Sequence, residues 1–324
     1  MSTAHELFPV ADAYAGDPLY PDLETVTPAE VVAELSGRDR VKRVVRLTQQ
    51  AREILTDAME AHGRGRDIVA RCVLFSGGDD STAVLHLFRR IATHAVHVNT
   101  GTGIPETGEY VRDLTRRWGI PLVEVAPDDT YEDLVMGRVT TRAGERVWPG
   151  GFPGPSAHGL MYQRLKERAL DKARHRLGVA NSRSTAAVWI AGRRRQESDR
   201  REDIPLHESD GTVIWASPVA MWTKLDLATY RRMHDVPRNP VSEHLHMSGE
   251  CLCGAFAHAG ELDEIGFFYP EVAARIRGLQ DRVAAAGYGE PYCQWGHGIG
   301  GKPQATGRLC QSCDARQLAF EATR

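Results

Sequence analysis

Several features are missing from this sequence, and each absence excludes something. No apolar run reaches the roughly 20 residues that a membrane-spanning helix needs, so no membrane contact is expected. Met1–Tyr20 carries acidic residues and no apolar core, which excludes a secretory signal and leads to the expectation of a cytoplasmic protein. Charge of one sign is not in excess. A net charge of -3 gives no general pull on nucleic acid, so any such contact would use a local patch. Internal repeats and low-complexity tracts are absent. Cysteine is scarce over most of the chain: of six residues, Cys72 stands alone, and Cys251, Cys253, Cys293, Cys310 and Cys313 crowd into the C-terminal part. In a reducing compartment that clustering favours a metal or cluster over disulfides.

What is present centres on Val73-Leu74-Phe75-Ser76-Gly77-Gly78-Asp79-Asp80-Ser81. An apolar run ends in Ser-Gly-Gly, then an acidic pair and Ser81 lead into Ala83, Val84, Leu85 and Leu87. This predicts a buried strand, a tight turn and a helix start. Paired glycines let the backbone approach a ligand, and a helix start offers unpaired N–H groups, so the turn suits phosphate. The lysine of a Walker A loop is missing, which disfavours a P-loop NTPase.

The chain around it reads in order. Thr27 suits an N-cap and Pro28 the first helical position, followed by a second helix over about Arg40–His62. From Ile68 strand and helix alternate: strands at Ile68–Phe75, Ala95–Val98 and Pro121–Val125, with helices at Ser81–Ala92 and Glu109–Trp118 between them. Strands at Ala186–Ala191 and Thr212–Ala216 complete a parallel, five-stranded α/β sheet flanked by helices. Short helices are expected at Thr130–Met136 and Leu225–His234, and longer ones at His158–His175 and Pro270–Ala285. Three regions follow: an N-terminal arm with helices over 1–66, a nucleotide-binding domain over 67–240 and a small Cys-rich module over 241–324.

In parallel sheets, ligands bind at the carboxyl ends of the strands. That edge gathers the Ser76–Ser81 loop, the loop starting Asn99-Thr100-Gly101, and the stretch Arg193–Arg201. Arginines there can grip phosphate or sulfate in bidentate fashion, with Glu197 orienting one of them. Trp148–Ser156 is a Pro/Gly-rich loop expected at the active site, and Lys166 on the helix after it can reach a pyrophosphate. Cys310-Gln-Ser-Cys313 and Cys251-Leu-Cys253, with Cys293 between them, offer thiolates for zinc or an iron–sulfur cluster. The short spacing of Cys251 and Cys253 tilts the choice to iron–sulfur, with zinc and a redox-active thiol pair as the other uses.

With those residues in hand, the chain resembles the phosphoadenosine phosphosulfate (PAPS) reductase family of the N-type ATP pyrophosphatases, with the adenine nucleotide alpha hydrolase-like fold. Ser76-Gly77-Gly78-Asp79-Asp80-Ser81 is similar to that family's SGGxDS loop. Val98-Asn99-Thr100-Gly101 with Pro105-Glu106-Thr107 resembles its V-D-T-G…P-E-T, with Asn99 in place of the aspartate. Gly192-Arg193-Arg194 with Glu197, Ser198 and Arg201 resembles its G-x-R…E-S…R segment. The Glu-Cys-Gly-Leu-His nucleophile motif of true sulfonucleotide reductases is missing. The adjacent cysteine pair of cluster-bearing reductases is replaced by Cys251-Leu-Cys253. The segment Gly151–Pro155, His158 and Leu165-Lys166 looks more like relatives that activate a target with ATP for sulfur insertion, as in DNA phosphorothioate modification.

The resemblance therefore implies an ATP pyrophosphatase that adenylates an acceptor, the DNA backbone being one class, for sulfur incorporation. ATP would lie on Ser76–Ser81, Mg²⁺ beside Asp79, and the leaving pyrophosphate against Lys166 and Arg193. The remaining nucleotide contacts would be Gly77, Gly78, Asp80, Asn99, Thr100, Gly101, Glu197 and Arg201. A cysteine desulfurase-type sulfur donor and other modification-complex subunits would be the partners. The rival enzyme is a PAPS reductase whose nucleophile is Cys251, Cys253 or Cys293. A third reading is a nucleotide-binding scaffold without catalysis.

Overall fold

A computed structural model describes residues 14–179, 184–197 and 201–297. The chain begins with α1 (Ala29–Glu34) and the long α2 (Gly37–Gly63). Strand β1 (Asp67–Leu74) leads through α3 (Asp79–Phe88) to β2 (His94–Val98), and on through α4 (Pro105–Arg117) to β3 (Leu122–Val125). After the short α5 (Tyr131–Val135) and a long loop come α6 (His158–Tyr162), a π-helical turn (Gln163–Glu167) and α7 (Arg168–Arg176). Then follow β4 (Thr185–Ile190), β5 (His207–Asp210) and β6 (Val213–Ala216). The chain continues through α8 (Lys224–Met233), α9 (Pro240–Leu245), α10 (Glu261–Phe268) and α11 (Pro270–Ala285).

The sheet has six strands in the order β3-β2-β1-β4-β6-β5. All neighbours run parallel except β5, which pairs antiparallel with β6. The expected count of five is therefore one short. Strand β5 reads His-Glu-Ser-Asp, an edge strand with no apolar face to reveal it.

Alternation along β1 explains why helices cover both faces. Val73 and Phe75 point into a core with Val44, Leu47, Ala51 and Leu55 of α2. Cys72 and Leu74 point the other way, toward Ala169, Leu170 and Ala173 of α7. A third core joins α5, α9, α10 and α11 around Phe152, Leu252, Cys253 and Trp295. The order of strands reverses between β1 and β4, and the crevice beyond their carboxyl ends is where such sheets bind ligands.

Thr27 does not cap α1; Pro28 occupies the N-cap position. The Thr27 hydroxyl instead accepts from Arg43 at 3.0 Å. Arg43, fully buried, pairs with the equally buried Asp226 at 2.9 Å. Asp226 also closes a capping box with Thr223 at the start of α8. One guanidinium thus ties α2 and α8 to the strand-like approach to α1.

Candidate active site

The turn after β1 is built as its composition requires. Gly77 has φ +81°, and a Cβ there would meet Thr107 Cγ2 at 3.0 Å and Val111 Cγ2 at 3.2 Å. Both the left-handed backbone and the crowding therefore demand glycine. The Ser76 and Ser81 hydroxyls lie 3.1 Å apart, and Ser81 and Thr82 both donate to the Gly78 carbonyl, at 3.0 and 2.8 Å. Gly78 is the N-cap of α3, so the first helical turn carries amides without intrahelical partners, beside Ser76 and Ser81 of the crevice wall. A cavity of about 60 Å³ lies there, walled by Ser76, Ser81, Lys166, Gly192, Ser248 and Glu250 together with apolar residues of β1, β2 and α7.

Asn239 is a residue that sequence reasoning passed over. It is buried, and its amide donates to the Gly77 carbonyl and to Thr107 Oγ1, both at 3.1 Å. Its own Oδ1 accepts from Val241 N and caps α9. Asn239 thereby fixes the glycine turn against the start of the C-terminal part. A lone Asn before Pro240 signals an N-cap, but nothing in the sequence signals a partner so distant in the chain.

The acidic pair is neutralised by arginines. Asp79 contacts Arg231 and Arg238, each at 2.9 Å, and Asp80 contacts Arg194 at 2.7 Å. The carboxylate expected beside Mg²⁺ is thus occupied by two guanidinium groups. Arg193, expected on the leaving group, donates to Ser217 Oγ at 2.7 and 3.0 Å and stacks over Trp215, away from the cavity. Glu197 lies beside Arg201 at 3.1 Å, and burial pushes its carboxyl up to about 7 against the pull of Arg201. Ser198 lies outside the described residues.

At the end of β2 the expected nucleotide residues separate. Asn99 donates to Glu124 Oε1 at 3.1 Å and accepts from Gly101 N, so it braces β3 and does not line the cavity. Thr100 faces the other way, and its hydroxyl donates to the Glu250 carbonyl at 2.8 Å. Thr102 Oγ1 accepts from Leu252 N at 3.0 Å and sits 3.8 Å from Cys251 Sγ. Gly103 allows this approach, since a Cβ there would lie 2.5 Å from the Glu250 carbonyl oxygen. The loop carrying Cys251 is therefore pinned across the mouth of the crevice.

Lys166 does reach the cavity, at the inner side of the π-helical turn. Its ammonium contacts Glu250 Oε2 at 2.8 Å, while Glu250 Oε1 is buried with no hydrogen-bond partner. The next residue is Cys251. A hydrogen bond from Cys253 holds its thiol down at about 6; burial opposes this, and Lys166 assists it. Cys72, by contrast, is pushed up to about 12 by burial. Tyr131 donates to the Cys253 carbonyl at 2.6 Å and Trp295 to that of Leu252 at 2.9 Å, fixing the thiol loop from below. Cys293 packs against the same third core. Cys310 and Cys313 lie outside the described residues. Among the described residues no group of three or more His, Cys, Asp or Glu side chains is arranged to hold a metal ion.

Residues 70–249 match the family model of the phosphoadenosine phosphosulfate reductase domain. The chain belongs to that family. The match takes in the Ser76–Ser81 loop, the Asn99–Thr107 loop and Arg193–Arg201, and it ends just before Cys251. The chain is 28% identical over 175 residues to phosphoadenosine 5'-phosphosulfate reductase of Xylella fastidiosa (strain 9a5c), covering 53% of this chain and 67% of that relative. It is 30% identical over 178 residues to the reductase of Thiocapsa roseopersicina, covering 53% and 66%. A solved PAPS reductase from Candida auris, in a phosphate complex, aligns over 66% of this chain and 94% of its own, at 18% identity and a TM-score of 0.43.

These relatives overturn the expected ATP pyrophosphatase of a sulfur-insertion pathway. The family's members matched here are named as reductases of a sulfonucleotide. The Pro/Gly segment Gly151–Pro155 serves packing: Phe152 is fully buried in the third core, and its backbone N–H donates to the Tyr292 carbonyl at 2.7 Å.

Proposed function

We propose that this chain is a sulfonucleotide reductase that cleaves a PAPS-type substrate with the Cys251 thiolate. The observation that carries the reading is the crossing of the crevice by Ser248-Gly249-Glu250-Cys251. It sets Cys251, whose thiol is held down to about 6, directly after Glu250, a wall residue of the crevice. The nucleotide's phosphates lie on the amides of the turn and the first turn of α3, with the Ser76 and Ser81 hydroxyls as further donors. Lys166 faces the developing negative charge.

The chemistry balances with two thiols. The Cys251 thiolate attacks the sulfonate sulfur, the sulfur–oxygen bond to the nucleotide phosphate breaks, and the phosphate leaves as an anion. Cys251 then carries a thiosulfonate. A second thiolate attacks Cys251 Sγ, a disulfide forms, and sulfite departs with the electron pair. Cys253, hydrogen-bonded to Cys251, is placed for that second attack, and an external dithiol of the thioredoxin class returns both cysteines to thiols.

The test is sulfite release from PAPS with a dithiol reductant, run beside pyrophosphate release from ATP. Sulfite formation that disappears in Cys251→Ser supports the reading. Sulfite formation that survives in that variant, or none in the wild type, overturns it. If Cys251 and Cys253 instead join Cys293, Cys310 and Cys313 around an iron–sulfur cluster, anaerobic absorption bands appear and Cys251→Ser removes them. Alkylation gives an independent check. The thiolate fraction grows as pH rises, so iodoacetamide labelling of Cys251 should climb through about pH 6 and level off above it, while Cys72 stays unlabelled at neutral pH.

A further inference from the structure

The far end of α3 opens on a second cavity, of about 210 Å³, bounded by α2, α3 and α8. α3 is 10 residues long and starts at the phosphate-binding turn, so this cavity lies at the opposite edge of the sheet. At ~1.5 Å per residue the two are roughly 15 Å apart. Thr48 and Arg52 come from α2, Tyr230 and His234 from the end of α8, and His86, Arg89 and Arg90 from the end of α3.

Its charge is one-sided. Among the described residues, Arg52, Arg89 and Arg90 have no carboxylate opposite them. Glu53, the neighbour of Arg52, accepts from Gln49 at 2.9 Å instead. Arg89 stacks over the Trp118 ring at 5.7 Å. His86 Nδ1 lies 2.8 Å from the Tyr230 hydroxyl, and burial, with Arg89 and His234 nearby, pushes this imidazole down to about 4. His86 is therefore a neutral polar wall with a hydroxyl beside it.

Helix ends explain part of this charge. α3 and α8 both finish here, and each C-terminus carries about half a negative charge. That is about one charge in all, against three guanidinium groups, so a positive surplus remains. The volume is below the roughly 300–1,000 Å³ of a pocket for a drug-sized ligand, which selects a compact group. Guanidinium forks match tetrahedral oxyanions in geometry and charge.

We propose that this cavity is a second anion site, remote from the nucleotide turn, that takes a sulfate- or phosphate-type oxyanion. The oxyanion is free or is the terminal phosphate of an organic ester. The site does not depend on the reductase reading, because none of its residues lines the first crevice.

Equilibrium dialysis of the full chain with radiolabelled inorganic sulfate at low ionic strength tests it. Arg52→Gln/Arg90→Gln is expected to bind one sulfate fewer per chain than the wild type, with an unchanged circular dichroism spectrum. Should the double variant misfold, Arg90→Gln alone is used, since Arg90 is exposed, and it is expected to weaken that sulfate roughly tenfold. Equal sulfate binding by wild type and folded variant overturns the proposal. Competition then separates the sources. Displacement of this sulfate by inorganic phosphate but not by adenosine 5'-monophosphate assigns a free oxyanion, and displacement by both assigns a phosphate ester.

Discussion

At its first turn α3 presents Asp79 and Asp80, and each is met by arginine: Arg231 and Arg238 on one, Arg194 on the other. At its last turn it is followed by Arg89 and Arg90, and neither faces a carboxylate among the described residues. The first arrangement engages its cations in ion pairs with the carboxylates of the helix start. The second leaves its cations without carboxylate partners among the described residues, Arg89 lying over the Trp118 ring. Paired charges at a binding edge position; unpaired ones attract. The same helix therefore carries ion-paired charge at one end and, among the described residues, cations without carboxylate partners at the other.

The largest expected effect comes from breaking a pair of the first kind where it is fully buried. Asp226→Asn leaves Arg43 without its counter-charge in a dry site, and urea unfolding should show a loss of about 3–5 kcal/mol. A loss under about 1 kcal/mol would mean that water reaches the Arg43 guanidinium. Gly77→Ala comes next. A left-handed backbone and a 3.0 Å contact with Thr107 should cost about 1–3 kcal/mol and abolish nucleotide binding, read by unfolding and by calorimetry. Asp79→Asn should make the first end of α3 resemble the second. Freed of their partner, Arg231 and Arg238 are expected to tighten pyrophosphate binding roughly tenfold, or about 1.4 kcal/mol. Weaker binding would show instead that Asp79 holds those arginines where the ligand needs them. Smallest is Arg90→Gln at the open end. With no pair to break, its stability should stay within about 0.5 kcal/mol of the wild type.

Most of the sheet was legible because its signals are local. Apolar runs with helices of regular spacing between them place β1 to β4 and the glycine turn after β1 within a residue or two. Strand β5 was not legible, because a polar edge strand owes its place to β6 alone. The site divides along the same line. Ser76, Gly77, Gly78 and Ser81 lie within one turn, contact one another locally and could be read in sequence. Lys166 was found as a residue but not as a partner of Glu250, which lies 84 positions away. Asn239 and Arg238 reach the turn from more than 150 positions away, and no spacing rule connects them. The functional reading is corrected by the relatives, which are named as sulfonucleotide reductases. Thr100 and Thr102 hold the loop of Glu250 and Cys251, contacts between positions about 150 apart that no local signal reveals.

The π-helical turn at Gln163–Glu167 has a consequence for how this family can vary. A π turn accommodates one residue more than an α-helical turn of the same height. Removing a single residue there would restore an ordinary helix, leave α7 packed on the sheet, and swing the upstream helix by about 100°. Phe152 and Met161 would lose their seats in the third core, and Lys166 would lose its line to Glu250. The wide turn is thus a phase adjuster between two cores of this chain.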